Sequence, residues 1–244
     1  MFAYQDTQGP VEIAFTDRHG GTSGGPFASL NLASHSADSV EAVAENIGRV
    51  ADAFAGERPL RRLVAMDQVH GADVHLVDES SLESLQVPVA DALVTRLPQV
   101  VLMVRVADCM PVLLADPVAG VVGAAHAGRL GLVGGIVPNT VHAMRALGAD
   151  DIRAWVGPHV CGHCYEVPEA LRSEVSGMLP ESYAQTRWGT PALDLGAGVA
   201  TQLAGLGVPS EDLSRCTLED DDLFSYRRQG EQSGRLAGLV WVSA

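Results

Sequence analysis

From Val100 to Gly128 the chain reads "VVLMVRVADCMPVLLADPVAGVVGAAHAG". Only Arg105, Asp108 and Asp116 carry a formal charge in it. A strand that is apolar at nearly every position has little to offer water on either face, so it must be covered on both sides. The run "VVLMVRVAD" reads as such a strand. "PVLLADPVAGVVGAAHAG" reads as two more, folded into a hairpin about Asp-Pro-Val-Ala-Gly. A fold containing these segments needs layers above and below them.

The remaining segments supply those layers. "VEIAFT" (11–16), "RRLVAM", "DVHLV" and the closing "GRLAGLVWVSA" read as strands. "ADSVEAVAENIGRVADAF" reads as an amphipathic helix, with Val40, Val43, Ala44, Ile47, Val50, Ala51 and Phe54 at helical spacing and Asp38 with Glu41 resembling a capping box. Further helices are expected near 138–147, 168–178 and 196–206. Strands and helices mix without strict βαβ alternation, so the class is α+β with layered sheets. At 244 residues and 47% hydrophobic, the chain can bury one sizeable core. No linker, repeat or low-complexity tract divides it, so one domain over 1–244 is expected.

The formal net charge of -14 disfavours nucleic acid as a partner. The N-terminal "MFAYQDTQGPVEIAF" lacks the pattern of a secretory signal, and no run of 18 apolar residues exists, so no membrane partner and a cytoplasmic location are expected. Four cysteines in such a chain are expected to be reduced thiols.

Three places carry candidate chemistry. Cys161-Gly162-His163-Cys164 has the spacing of a dithiol redox site, which needs a helix starting at the first cysteine. "YEV" and Pro168 downstream argue against that helix, so ordinary loop or core cysteines are favoured over redox function or zinc binding by this pair alone. The loop with Gly20, Gly21, Gly24 and Gly25, preceded by Arg18 and His19, offers backbone N–H groups to an anion, although it matches no phosphate-loop fingerprint. The hairpin is the strongest. A loop of Asp116 to Ala119 places Ala115 opposite Gly120 and Cys109 opposite His126, with Cα atoms roughly 4.5–5.5 Å apart. A thiolate and an imidazole at that range suit zinc or a Cys–His catalytic pair, and a buried cysteine beside a satisfied histidine is the plain alternative. Pro111 weakens the register. His70, in the loop "DQVHGADV", is the preferred third ligand over His75, whose place in "DVHLV" suggests the solvent face.

Taken in order, "TDRHGGTSGGPFASLNLASH", "DQVHGADV", "ADALVT", "VADCMPVLLADP", "GVVGAAHAG", "VGPHVCGHCYEV" and "CTLEDDDLFSYRRQGEQSGRLAGLVWV" resemble the motifs of the YfiH-like family over nearly the whole chain. That family carries the label polyphenol oxidase or laccase-domain protein and is also read as purine nucleoside phosphorylases. The resemblance implies a single-domain α/β/β/α sandwich and a zinc site of His70, Cys109 and His126. It implies phosphorolysis of adenosine, inosine and methylthioadenosine, together with adenosine deamination, so purine nucleosides and phosphate become the expected partners. Where the family reads H-A-G-W-R-G, this chain reads "HAGRLG", with Arg129 at the Trp position and Leu130 at the Arg position. Arg18 and Arg129 are the candidate phosphate contacts, with Asn31 and His35 of "SLNLASH" as polar contacts.

Two rivals remain. A multicopper oxidase needs about ten histidines, many in H-x-H pairs, whereas this chain has eight and no H-x-H. A lone copper on two His and one Cys is possible but less favoured, since Met110 should point away from Cys109. A Cys–His hydrolase, such as an amidase or a peptidoglycan-precursor editing enzyme, would use Cys109 as nucleophile and His126 as base.

Overall fold

The computed structural model describes residues 1–33 and 35–243. Ser34 of "SLNLASH" and Ala244 of the closing segment lie outside the described residues. In chain order the elements are β1 (Phe2–Gln8), β2 (Val11–Thr16), α1 (Val40–Ala55), β3 (Arg62–Ala65), β4 (Val74–Leu76), α2 (Glu79–Glu83), β5 (Ala92–Thr95), β6 (Val100–Val106), β7 (Met110–Asp116) and β8 (Val121–Ala127). They continue as α3 (Arg129–Val133), α4 (Ile136–Ala146), β9 (Arg153–Val156), α5 (Glu169–Met178), β10 (Tyr183–Gln185), β11 (Pro191–Leu193), α6 (Leu195–Gly205), β12 (Ser210–Asp212), α7 (Tyr226–Gln229) and β13 (Leu236–Val242). No helix among the described residues is long and apolar enough to cross a membrane.

Two mixed sheets stack face to face. One has the order β1-β2-β13-β6-β3, the other β12-β9-β7-β8-β5-β4, and a small β10-β11 hairpin stands apart. The period of 2 along each strand sends alternate side chains into different cores. In β6, Leu102 and Val104 enter the inter-sheet core while Val101 and Met103 face α1. In β13, Leu236 and Val240 face inward while Leu239 and Trp241 pack with Phe54 of α1. In β7 and β8, Leu113, Val122 and Ala124 face the partner sheet, and Val112, Leu114, Val121 and Ala125 face α3, α4 and α6. This is the expected α/β/β/α arrangement, and it explains why the central strands are apolar at nearly every position.

Local chemistry corrects two expectations. Helix α1 is capped by Ser39, whose hydroxyl accepts from Ala42 N–H, while Asp38 instead accepts from the Asn31 amide. Val40 and Ala44 of the expected apolar face are exposed, and Asn46 is buried in the helix's place of contact. The β7–β8 hairpin is shifted by two residues. Asp116 opposes Val121, and Pro111 opposes His126. The Asp116 carboxylate closes the turn by accepting from Val118 and Ala119 N–H, both at 2.9 Å. Gly120 takes φ +64°, which suits a turn position rather than a ladder pair. A shift of two residues preserves the face, so Cys109 and His126 still lie on the same side of the sheet, now diagonally.

The inter-sheet core is the part of the fold that tolerates loss least. Leu102 is fully buried at its centre. Leu102→Ala should cost about 2–5 kcal/mol in urea unfolding, whereas Val118→Ala in the exposed hairpin turn should stay within about 0.5 kcal/mol. A loss below about 1 kcal/mol at Leu102 would show that the sheets are not packed as described.

Candidate functional site

Asp91 stands just before β5 with no exposed surface. Its carboxylate accepts from three successive backbone N–H groups, Val69 at 3.2 Å, His70 at 3.0 Å and Gly71 at 2.6 Å. It also accepts from His126 Nδ1 at 2.8 Å. Burial pushes this carboxyl upward, but the His126 hydrogen bond and the backbone donors outweigh it and hold it ionised below the usual range. An ionised carboxylate can only accept, so His126 carries a proton on Nδ1 and directs Nε2 at Cys109. One side chain thus fixes the loop that presents His70 and the tautomer of His126.

His70 adopts φ 61°, a left-handed conformation that costs a non-glycine residue energy and is held here by Asp91. It points its ring at the end of β8, where His70 and His126 meet edge to face with centroids 4.8 Å apart. His70 Nε2 lies 3.7 Å from Cys109 Sγ. The ligand atoms of His70, Cys109 and His126 all lie within 4.8 Å of one another. His126 is buried, Cys109 half-buried and His70 exposed, so the trio is a corner open on one side. Three N/S donors with an open position are the pattern of a catalytic rather than a structural metal site.

Gly128 makes room for that corner. A Cβ there would stand 2.8 Å from His70 Cδ2, 3.2 Å from Cys109 Sγ and 3.5 Å from His126 Cε1. The absence of a side chain therefore leaves space at the point where the three donors converge.

The electrostatics fit a charged Cys109–His126 pair. Burial alone would push the Cys109 thiol up, but hydrogen bonds from His126 and His70 and their charges bring it down to about 6. Burial likewise opposes a charged His126, yet Asp91 and then Cys109 raise it to about 9. Asp108, also at positive φ, accepts from Thr217 Oγ1 and Arg227 N–H, both at 2.6 Å. It thereby ties the Cys109 turn to the 217–228 segment.

A cavity of about 580 Å³ opens over the trio. Arg105, Arg227 and Arg235 line it, with His35, Asp67, Tyr165 and Tyr226. Each guanidinium is braced by backbone carbonyls: Arg105 by Met66 at 2.7 Å, Arg227 by Glu166 at 2.7 Å, Arg235 by Ser233 and Gly234 at 3.0 Å. Arg227 also lies 4.6 Å over the Tyr165 ring.

Of the polar residues singled out in the sequence, His35 lines this cavity. Asn31 is buried behind it, accepting from Arg235 N–H and so positioning that arginine's backbone. Arg18 is placed elsewhere. Its guanidinium donates to Ala28 O and Pro26 O and lies 4.5 Å over Phe224. Arg129 opens α3 and is not among the lining residues. In the glycine loop the N–H groups of residues 21 to 23 are committed. Gly21 donates to Ser29 Oγ, Thr22 to Asn46 and Ser23 to Ser29 O. No helix starts at Cys161, and α5 begins only at Glu169 after Pro168. Sequence reading missed Asp91, Arg105, Arg227 and Arg235. A lone Asp in "ADALVT" and arginines far apart in the chain carry no local signal of convergence.

Comparison with known proteins bears on this site. The profile of the family described as "Multi-copper polyphenol oxidoreductase laccase" matches residues 12–243. The chain is 52% identical over 237 residues to "Purine nucleoside phosphorylase ORF3" of Streptomyces griseus, covering 96% of this chain and 95% of that one. It is 51% identical over 245 residues to "Purine nucleoside phosphorylase SCO2081" of Streptomyces coelicolor, covering 99% and 100%. The crystal structure of YlmD from Geobacillus stearothermophilus superposes with a TM-score of 0.86 at 33% identity, covering 100% of this chain and 99% of that one.

Two outcomes are expected here. Gly128→Ala should weaken divalent-metal affinity about 10- to 100-fold in chelator competition, the range for disturbing a metal site's supports. Unchanged affinity would separate metal binding from the trio. In metal-free protein, the thiolate of Cys109 grows as pH rises through about 6. Alkylation mapped by mass spectrometry should therefore reach half its limiting rate near that pH, against about 8.5 for an ordinary cysteine. Cys161 and Cys164, both pushed upward, should lag. Onset near 8.5 at Cys109 would remove the thiolate–imidazolium pair.

Proposed function

The chain belongs to the multi-copper polyphenol oxidoreductase laccase family, and from that membership and the open His70–Cys109–His126 corner we propose a zinc-dependent purine nucleoside phosphorylase. Its substrates are adenosine, inosine and methylthioadenosine, with adenosine deamination as a second activity. The observation that carries the reading is the trio facing a cavity with three braced arginines, beside relatives named purine nucleoside phosphorylase. We take the whole chain as one catalytic unit and its location as cytoplasmic.

The residues fit zinc better than the copper of the family's description. Two imidazoles and a thiolate suit either metal, but Met110 packs into the helix-side core while Cys109 packs toward the inter-sheet core. Met110 therefore offers no axial thioether of the blue-copper kind. Among the described residues, the other cluster of metal donors contains no histidine, so a multicopper centre lacks its ligands. Zinc held by His70, Cys109 and His126 would supply a Lewis acid with one open position.

The chain's own groups account for the rest. Arg105, Arg227 and Arg235 gather an anion inside a protein of net charge -14, because fixed guanidinium groups respond to the local charge rather than the total. His35 adds a polar contact at the same wall. Tyr165 and Tyr226 offer faces for a purine ring. In phosphorolysis a phosphate oxygen bonds to C1′ of the ribose and the C1′–N9 bond breaks, its electron pair leaving on the purine. The sugar carbon gains positive character, which the neighbouring anion stabilises. Arg18 and Arg129, outside the cavity lining, are assigned no direct phosphate contact.

One observation favours a second reading. Cys109, His126 and Asp91 stand in the hydrogen-bond order of a nucleophile, base and orienting carboxylate. A Cys–His hydrolase would be inhibited by zinc, whereas the nucleoside enzyme would be activated.

Zinc-loaded protein with adenosine should give free adenine only when phosphate is present, and inosine with or without it. Arg235→Ala should lower phosphorolysis about 10- to 100-fold, the loss of a charge-assisted hydrogen bond, and deamination much less. Neither product from zinc-loaded protein would sink the nucleoside reading and leave the hydrolase.

A further inference from the structure

The sequence motif Cys161-x-x-Cys164 acquires a third thiol in the fold. Sγ of Cys161, Cys164 and Cys216 and a carboxylate oxygen of Glu219 all lie within 4.8 Å of one another. Cys216 is 52 residues beyond Cys164 in the chain, so spacing alone could not reveal it. We propose that Cys161, Cys164, Cys216 and Glu219 form a second, structural zinc site, separate from the His70–Cys109–His126 corner.

The backbone builds this cluster from two similar turns. Cys161 O accepts from Cys164 N–H at 2.9 Å and Tyr165 N–H at 3.0 Å. Cys216 O accepts from Glu219 N–H at 3.1 Å and Asp220 N–H at 3.0 Å. Each turn brings residue i and residue i+3 to the same side, giving a Cys-x-x-Cys and a Cys-x-x-Glu half. The halves are fastened side by side, with His159 N–H donating to Arg215 O at 3.2 Å and Thr217 N–H donating to His159 O at 3.0 Å. A tetrahedral zinc with thiolates at about 2.3 Å spaces its ligand atoms about 3.8 Å apart, so the four groups close on an ion with shifts of roughly 1 Å or less.

The donor chemistry and the charge both suit a dication. Three soft thiolates with one carboxylate favour zinc over hard cations such as magnesium or calcium. Four anionic ligands around a dication leave excess negative charge. Arg187, paired with Glu219 and donating its N–H to His163 O, stands beside the cluster to offset part of it. Four protein ligands leave no open position, which marks a structural rather than a catalytic site.

The location gives the ion a task. Tyr165 follows Cys164 directly and lines the cavity over the first site. Thr217 follows Cys216 and donates to Asp108, which precedes Cys109. Arg228 Nη1 donates to the carbonyls of Thr217, Leu218 and Asp220, continuing the tie to α7 beside Arg227. A metal joining the two turns would brace the cavity wall that carries Tyr165 and Arg227.

The test counts zinc on the full chain, purified under reducing conditions without chelator. Cys161→Ser/Cys216→Ser should hold about one zinc per chain fewer than the wild type, whatever the first site contains. Cobalt(II) loaded into Cys109→Ala, which keeps only the proposed set of thiolates, should show intense sulfur-to-cobalt charge transfer and tetrahedral d–d bands. Because the double variant can misfold, Glu219→Gln provides a gentler check. It should weaken zinc retention about tenfold while leaving the far-ultraviolet circular dichroism unchanged. Equal zinc in wild type and a folded double variant would overturn the site. So would a cobalt spectrum of Cys109→Ala without thiolate bands. A Cys161–Cys164 or Cys161–Cys216 disulfide in the freshly purified protein would overturn it in favour of a redox pair.

Discussion

The carboxylate of Asp91 is buried among four donors, three from the backbone of Val69 to Gly71 and one from the His126 ring. A buried ion must be compensated, and here the compensation itself orders the site. The three N–H groups hold His70 in a conformation that it would not adopt alone. The fourth leaves His126 Nε2 directed at Cys109. A carboxylate behind a histidine raises its basicity and fixes its orientation, whether the histidine serves a metal or a nucleophile. The same geometry therefore underlies both functional readings, and only chemistry at the open side distinguishes them.

Around this corner the sheets do the holding. His126 is the penultimate residue of β8 and Cys109 stands just before β7, so the site sits at the rim of the six-stranded sheet where inter-sheet packing gives way to a cavity. Strands buried on both faces resist displacement because any shift disturbs two cores at once. Gly128 immediately follows β8 and turns the chain into α3 without a side chain to crowd the donors. Rigid strands and one missing Cβ together leave a space of defined size against the trio.

The charge distribution separates the cavity from the rest of the molecule. The chain is acidic overall, yet three arginines converge on the cavity from β6, the start of α7 and the residue before β13. Burial makes the charged forms of Arg105 and Arg235 harder to hold, and both are shifted downward by it. Carbonyl acceptors and the acidic Asp67 and Asp108 nearby keep them in place. An anionic group arriving there would meet fixed positive charge in a half-enclosed space, where such charge acts more strongly than on an open surface.

The sequence by itself determined the layered α+β architecture, because strands like "VVLMVRV", apolar at every position but Arg105, can exist only between two cores. It also determined which face Cys109 and His126 share, since parity along a strand survives a shift of two residues. It did not determine the register, which the Asp116 carboxylate and Gly120 set within the turn. Nor did it single out Asp91, whose role comes from donors about 20 residues before it and 35 after it. The arginines of the cavity and the joining of Cys216 to Cys161 and Cys164 likewise arise only when distant segments meet. Sequence patterns report the local periodicity of burial. Charge pairing and ligand convergence across the chain depend on how the layers close, and only the tertiary structure decided those.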